Sequence, residues 1–155
     1  MDCLHIRKME ETDKEFIIGL STRFTEFDFM EWRDPQVMKD AQLKMAQEAV
    51  HSNDPDSDIF VVEDEGKNLL GFLHMTKNVD YFSGEEQGYI SSIAVSKEGE
   101  GKGIARKLME KAEAWTRSKG YKQLTLNVFA QNERAINLYK KFNFENEIVK
   151  MVKEL

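Results

Sequence analysis

The chain has 155 residues, 41% hydrophobic and 32% charged: enough apolar side chain for one packed core, and too little length for two ordinary domains. Lys and Arg total 22 against 28 Asp and Glu. The resulting net charge of −6 argues against a nucleic-acid binder, whose phosphate contacts need a basic face, and leaves room for a cationic small substrate.

In chain order, Leu4 to Met9 alternate as a first strand. Thr12 with Glu15 reads as a capping box opening a helix that buries Phe16, Ile17, Leu20 and Phe24. A second helix starts near Pro35 and carries Val37, Met38, Leu43, Met45 and Val50. Asn53 to Ser57 is a polar turn. Ile59 to Val62 and Leu69 to Thr76 form a hairpin over the Glu65-Gly66-Lys67-Asn68 loop. Gly88 to Val95 is a fourth strand, with so few polar side chains that both faces are expected to be buried. Ile104, Leu108, Ala112 and Trp115 mark a helix from Gly103 to Lys119, stopped by Gly120. Gln123 to Phe129 is a fifth strand, Asn132 to Phe142 a fourth helix, and Phe144 to Val152 a final strand. The order is β-α-α-β-β-β-α-β-α-β, a single α/β domain over residues 1–155.

Several signals can be set aside. Cys3 is alone and cannot form an internal disulfide, and no Cys/His cluster has zinc spacing, so no metal is expected. Asp54 to Glu65 imitates a calcium loop, but Ile59 stands at the obligatory glycine and a strand follows. His5, His51 and His74 are unrelated in spacing and read as packing or surface residues. The apolar runs fall far short of a membrane span, and the start lacks a basic stretch before an apolar one. A soluble cytoplasmic protein is expected, with neither membrane nor nucleic acid as partner.

The most informative stretch is Glu98-Gly99-Glu100-Gly101-Lys102-Gly103-Ile104-Ala105-Arg106, between the fourth strand and the third helix. Alternating glycines let the backbone approach a ligand closely, and the helix behind them aims its unpaired N–H groups at the loop. That suits an anion such as a pyrophosphate. A P-loop would need Ser or Thr after Gly101-Lys102, where Gly103 stands, and a dinucleotide fingerprint from Gly101 would need Gly or Ala at Arg106. Both motifs fail. On glycine count alone a plain turn feeding a helix remains the simpler reading.

Ile93-Ala94-Val95, the Gly101 to Ala105 loop, and Asn132, Ala135, Tyr139 and Phe144 together resemble the GCN5-related N-acetyltransferase family. The resemblance spans roughly residues 59–150 by element order and is sharpest from Tyr89 to Phe144. It implies a mixed, mostly antiparallel V-shaped sheet flanked by helices. It also implies acetyl-CoA as co-substrate, lying between the fourth and fifth strands. The pantetheine arm would pair with the backbone of Ile93, Ala94 and Val95. The phosphates would meet Gly101, Lys102, Gly103, Ile104, Ala105 and Arg106, with Asn132, Ala135 and Tyr139 completing the cofactor site from one face of the fourth helix. The family motif has Arg or Gln where this chain has Glu100, so Glu100→Gln is expected to tighten acetyl-CoA binding at low salt. Asn143 replaces the usual Gly before Phe144, and Asn can form the same left-handed cap.

The resemblance also makes Tyr139 the general acid toward the departing thiolate; by itself, a core tyrosine is the more usual reading. Asn132 is equally well an N-cap. The base is left open. Ser91 and Ser92 occupy the mid-strand place of the usual carboxylate, and Glu85, Glu86, Glu26, Asp28 and Glu31 are candidates better read as solvated surface groups. Thr22 to Arg33, with Phe24, Phe27 and Phe29 among carboxylates, would wall the acceptor pocket. The expected activity is direct acetyl transfer to a primary amine of a small molecule or peptide. The alternatives are a non-catalytic acetyl-CoA-binding sensor and, less favoured, another nucleotide-binding domain. A buried final strand or an exposed apolar patch would serve a homodimer.

Overall fold

The structure is a computed structural model, and it describes residues 3–25 and 30–155, with the side chain of Thr25 left aside. β1 (His5–Lys8) is followed by α1 (Lys14–Leu20) and α2 (Pro35–Val50). Then come β2 (Asp58–Glu63), β3 (Leu69–Val79), β4 (Glu86–Val95), α3 (Ile104–Ser118), β5 (Leu124–Leu126) and α4 (Glu133–Lys141). The five strands lie in the order β1-β2-β3-β4-β5, antiparallel except for the parallel pair β4 and β5.

The sheet has a core on each face. On one, Leu108, Met109, Ala112 and Trp115 of α3 pack on Phe60, Val62, Leu73, Met75 and Ile90. On the other, Ile17 and Leu20 of α1 and Val50 of α2 cover Ile59, Val61, Phe72 and Ala94. Ile104, Leu108, Ala112 and Trp115 are buried as the helical spacing predicts, and Met109 and Thr116 join them. The indole N–H of Trp115 also donates to Asp58 at 2.8 Å, so the ring can be buried without an orphaned donor.

α1 does not start with the expected Thr12–Glu15 box. The Asp13 carboxylate instead accepts from the Glu10 amide at 2.7 Å and from the Arg7 guanidinium at 2.7 Å, and Arg7 reaches Glu63 as well. This network joins β1, β2 and the entry to α1. Burial by itself would push the Asp13 carboxyl up, but the Arg7 hydrogen bond, the Glu10 amide and the Arg7 charge outweigh it and hold it below its usual range.

Four further expectations are corrected. Of the apolar residues assigned to the second helix, Val50 is buried, whereas Val37, Leu43 and Met45 are exposed, because α2 touches the body mainly through Ala46 and Val50. β4 starts two residues earlier than expected and is not buried on both faces: Ser91, Ser92, Ile93 and Val95 are half-buried. β5 contracts to three residues. The expected final strand is not formed within the chain, and residues 145–155 run exposed beyond Phe144.

Removing the guanidinium by Arg7→Ala would leave a buried carboxylate without its cation and is expected to cost roughly 3 kcal/mol in urea unfolding. The contribution is present above the ordinary carboxylate range and lost as pH falls through the depressed Asp13 value. Wild type and variant should therefore converge in strong acid.

Candidate active site

The site begins where β4 and β5 part. Their pairing is confined to Gly88 with Leu124, Tyr89 with Thr125 and Ile90 with Leu126. Beyond Ile90, no strand among the described residues lies on the β5 side of β4. The β3–β4 register also shifts here, His74 pairing with Ser92 and Met75 with Ile90, which leaves Ser91 as an extra residue in β4. Such a bulge twists the strand and reverses which side chains face which side. Ile90 faces α3, and after the bulge Ile93 and Val95 do so, whereas Ala94 packs under α1 and α2. The backbone of Ile93, Ala94 and Val95 thus lies along an open, strand-width gap.

Past β4, Ser96 caps the short turn Lys97–Gly99, accepting from the Gly99 amide at 3.1 Å. Gly101 and Gly103 have φ of 76° and 77°, the left-handed region that suits glycine, and neither would bring a Cβ within 4 Å of a neighbour. Gly103 caps α3 without any side chain in the cap. The amides of Ile104, Ala105 and Arg106 are bonded to no other backbone group among the described residues. They form the N-terminus of a 15-residue helix and face the open turn. The Ile104 side chain itself is core, so only its amide is available, while Lys102 and Arg106 are exposed, Arg106 lying 5.7 Å over the Phe142 ring. These features fit a diphosphate followed by an extended arm: open left-handed turns, unpaired amides and an unpaired strand edge in sequence.

Arg23, from the 3₁₀ segment Ser21–Thr25 after α1, bridges the two parts of this site. One guanidinium nitrogen donates to the Val95 carbonyl at 2.5 Å and the other to Glu100 at 2.5 Å. The Arg23 hydrogen bond is the main reason the Glu100 carboxyl lies below its usual range, and Arg134 stands 3.9 Å from the same oxygen. Glu100 is therefore already matched to cations. Sequence reading missed this role of Arg23, because its partners are 72 and 77 residues away.

On the α2 side of the sheet, an open pocket of about 280 Å³ is walled by Phe24, Met45, Ala49 and Phe72, with Ser91 and Ser92 at its β4 side. Glu48 and Asp54 line it, and no lysine or arginine does. His74 also lines it and is 8% exposed, its Nε2 lying 2.8 Å from the Ser57 hydroxyl. Burial pushes the imidazole below its ordinary value, and the charge of Asp58 opposes this only in part. His74 is accordingly a neutral imidazole inside a cleft, a position its isolated place in the sequence gave no sign of.

The fourth helix lies on the α3 side of the sheet, with Tyr139 packed against the α3 core and Arg134 near Glu100. Asn132 caps α4, its side chain accepting from the Ala135 amide at 3.3 Å, so the capping reading is realised. Ala135 and Tyr139 are half-buried on α4. Burial raises the Tyr139 hydroxyl above its ordinary value, which keeps it protonated, and its ring meets Phe144 edge-on at 5.9 Å. Asn143 has a φ of 70°, as expected for a left-handed cap. Among the candidate bases, Glu86 pairs with Lys77 at 3.3 Å, and Glu85 lies with it at the opposite end of β4 from the glycine turn. Glu31 is exposed, and Glu26, Asp28, Phe27 and Phe29 lie outside the described residues. No group of His, Cys, Asp and Glu among the described residues could hold a metal, and no described helix is long and apolar enough to cross a membrane.

The site thus joins a parallel strand pair that opens onto a helix-backed glycine turn with a second pocket across the sheet. Residues 22–144 match the acetyltransferase (GNAT) family, and the chain belongs to it. Spermidine N(1)-acetyltransferase of Vibrio cholerae is 28% identical over 93% of this chain and 80% of its own length. Mycothiol acetyltransferase of Propionibacterium freudenreichii is 33% identical over 68% of this chain, which spans only 32% of that relative. Among solved structures, an acetyl transferase from Pyrococcus furiosus superposes with a TM-score of 0.75 at 23% identity, covering 99% of this chain and 100% of its own. The aminoglycoside N-acetyltransferase AAC(6')-Iy, solved with CoA, superposes at 0.73 and 21% identity, over 99% and 96% of the two chains.

Because His74 is held neutral, the unfolded chain takes up a proton near pH 6.5 that the folded chain refuses. Urea midpoints should drop as pH falls below that value. His74→Gln should remove this part of the slope.

Proposed function

We propose that the protein is an acetyl-CoA-dependent N-acetyltransferase that transfers the acetyl group directly to a primary amine of a small cationic molecule. The observation that carries this reading is that gap and pocket share Ser91 and Ser92: the strand edge suited to a pantetheine arm adjoins a cleft holding carboxylates and no cations. The family and the relatives that acetylate spermidine and mycothiol point the same way.

The bound co-substrate supplies an activated thioester carbonyl. The unpaired amides within Gly101 to Arg106 would hold its phosphates, and the backbone of Ile93, Ala94 and Val95 its arm; the N–H groups of Ile93 and Val95, which point away from β3, would serve a developing oxyanion. Glu48 and Asp54 would draw an ammonium into the pocket, and the rings of Phe24 and Phe72 suit its alkyl portion and charge. The attacking nitrogen must lose a proton, and His74, neutral and paired with the Ser57 hydroxyl, is the proton acceptor this pocket offers, directly or through one water. Tyr139, kept protonated by burial, would return a proton to the leaving sulfur.

Thiol release from acetyl-CoA across a panel of polyamines, aminoglycosides and peptides tests this. Turnover should appear with small polycations; binding of acetyl-CoA without turnover across the panel would favour the sensor reading instead. Tyr139→Phe should lower kcat roughly 10- to 100-fold while acetyl-CoA affinity holds. With His74 as acceptor, activity should fall as pH drops through a value below 6.5, and His74→Gln should flatten that limb. Since Arg23 already offsets Glu100, calorimetry of Glu100→Gln should show acetyl-CoA affinity changed by less than about threefold at moderate salt.

A further inference from the structure

Only one of the two ring nitrogens of His74 has a partner. Nε2 lies 2.8 Å from the Ser57 hydroxyl. Nδ1 has no hydrogen-bond partner among the described residues, and it is not sealed off either, since no fully buried side-chain nitrogen there goes unpartnered. It opens on the pocket that His74 lines.

The strands show which side of the ring is which. Ile59, His74 and Ser92 are Cα partners in one row across β2, β3 and β4, on the face covered by α1 and α2. Ser57 stands two residues before Ile59. The intervening Asp58 reaches Trp115 on the α3 face, so the Ser57 side chain falls on the face of His74. Ser57 therefore flanks the ring from the β2 side, while the gap suited to the co-substrate lies past β4, on the other. The nitrogens of an imidazole point to opposite sides of the ring, and Nδ1 is the one turned away from Ser57. The hydroxyl is carried on a tied turn: the Ser57 amide donates to the Asp54 carbonyl at 3.1 Å, and the Asp56 amide to the Asp54 carboxylate at 2.9 Å.

We infer that Ser57 is a positioning residue whose oxygen accepts the Nε2 proton of His74, fixing the tautomer in which the Nδ1 lone pair faces the amine. The inference rests on the reading of His74 as proton acceptor in the proposed reaction. A neutral imidazole has one N–H and one lone pair, and the bond made by one nitrogen sets the state of the other. A lone pair on Nε2 would be spent on the Ser57 hydroxyl, out of an amine's reach. With the lone pair on Nδ1, a substrate ammonium gives its proton to Nδ1, the ring becomes an imidazolium that donates from both nitrogens, and the proton then leaves to water through the open pocket. The charged groups around the ring suit that cation. Asp58 of β2, Glu48 of α2 and Asp54 of the turn are carboxylates, and the described residues of α1 and β4 bring no charge to the pocket.

Nitrogen-15 spectra of the imidazole rings test this without substrate, His74 being assigned by its loss in His74→Gln. At about pH 8, where the ring is neutral, His74 should show a protonated Nε2 and a bare Nδ1, and Ser57→Ala should mix the two tautomers. A protonated Nδ1 in the unaltered chain overturns the inference. With spermidine, or whichever amine of the panel is turned over, Ser57→Ala should lower kcat roughly tenfold and leave the KM for acetyl-CoA in place. Ser57→Thr, which keeps the hydroxyl, should recover most of that loss. In a His74→Gln background Ser57→Ala should cost nothing further; a cost that persists there gives Ser57 a role apart from His74 and overturns the inference. Failure of the underlying reading looks different. A His74→Gln chain that keeps full turnover, or an unaltered chain with none, sinks both, whereas a crippled His74→Gln chain whose parent carries its proton on Nδ1 sinks this inference alone.

Discussion

The geometry of this protein turns on one extra residue. Ser91 has no partner of its own in the β3 ladder, and the bulge it creates coincides with the point at which β5 stops pairing. A regular β4 would have kept its alternation and presented Ser92 and Ala94 on the α3 face with Ile90. Instead the inside–outside pattern reverses, Ile93 and Val95 close the α3 core, and Ser92 lines the same pocket as His74. The parting of β4 and β5 then exposes a length of peptide backbone that a core strand would normally have satisfied.

The two halves of the site use different chemistry for the same reason of charge. The glycine turn presents backbone amides at the head of α3, a fixed partial positive charge suited to phosphate. The pocket across the sheet presents Glu48, Asp54 and a neutral His74, suited to a cation that must give up a proton. Arg23 ties the two together by holding Glu100 and the last carbonyl of β4 in one grip. The acidic overall charge is thereby compatible with binding a polyanionic co-substrate, because the proposed anion site is built mainly from backbone.

Legibility differed between elements for physical reasons. The α3 stripe, the hairpin of β2 and β3, the Pro35 start of α2 and the Asn132 cap all depend on near neighbours, and the sequence reading holds for them. The start of α1 was misread because its Asp13 answers to Arg7 and Glu63 on two strands. Val37, Leu43 and Met45 have the spacing of a core stripe, but only the part of α2 around Ala46 and Val50 reaches the sheet.

The amino-acid order by itself determined the class of fold, the glycine turn before α3, and the family to which those residues belong, because turn conformation and helix start are written in a few adjacent side chains. Three things were decided only by the folded chain. They are the opening of β4 from β5, the burial of His74 beside Ser57, and the isolation of the last eleven residues from their own sheet. Each arises from segments far apart in the chain, where pairing depends on which edges and faces remain vacant once the rest has packed.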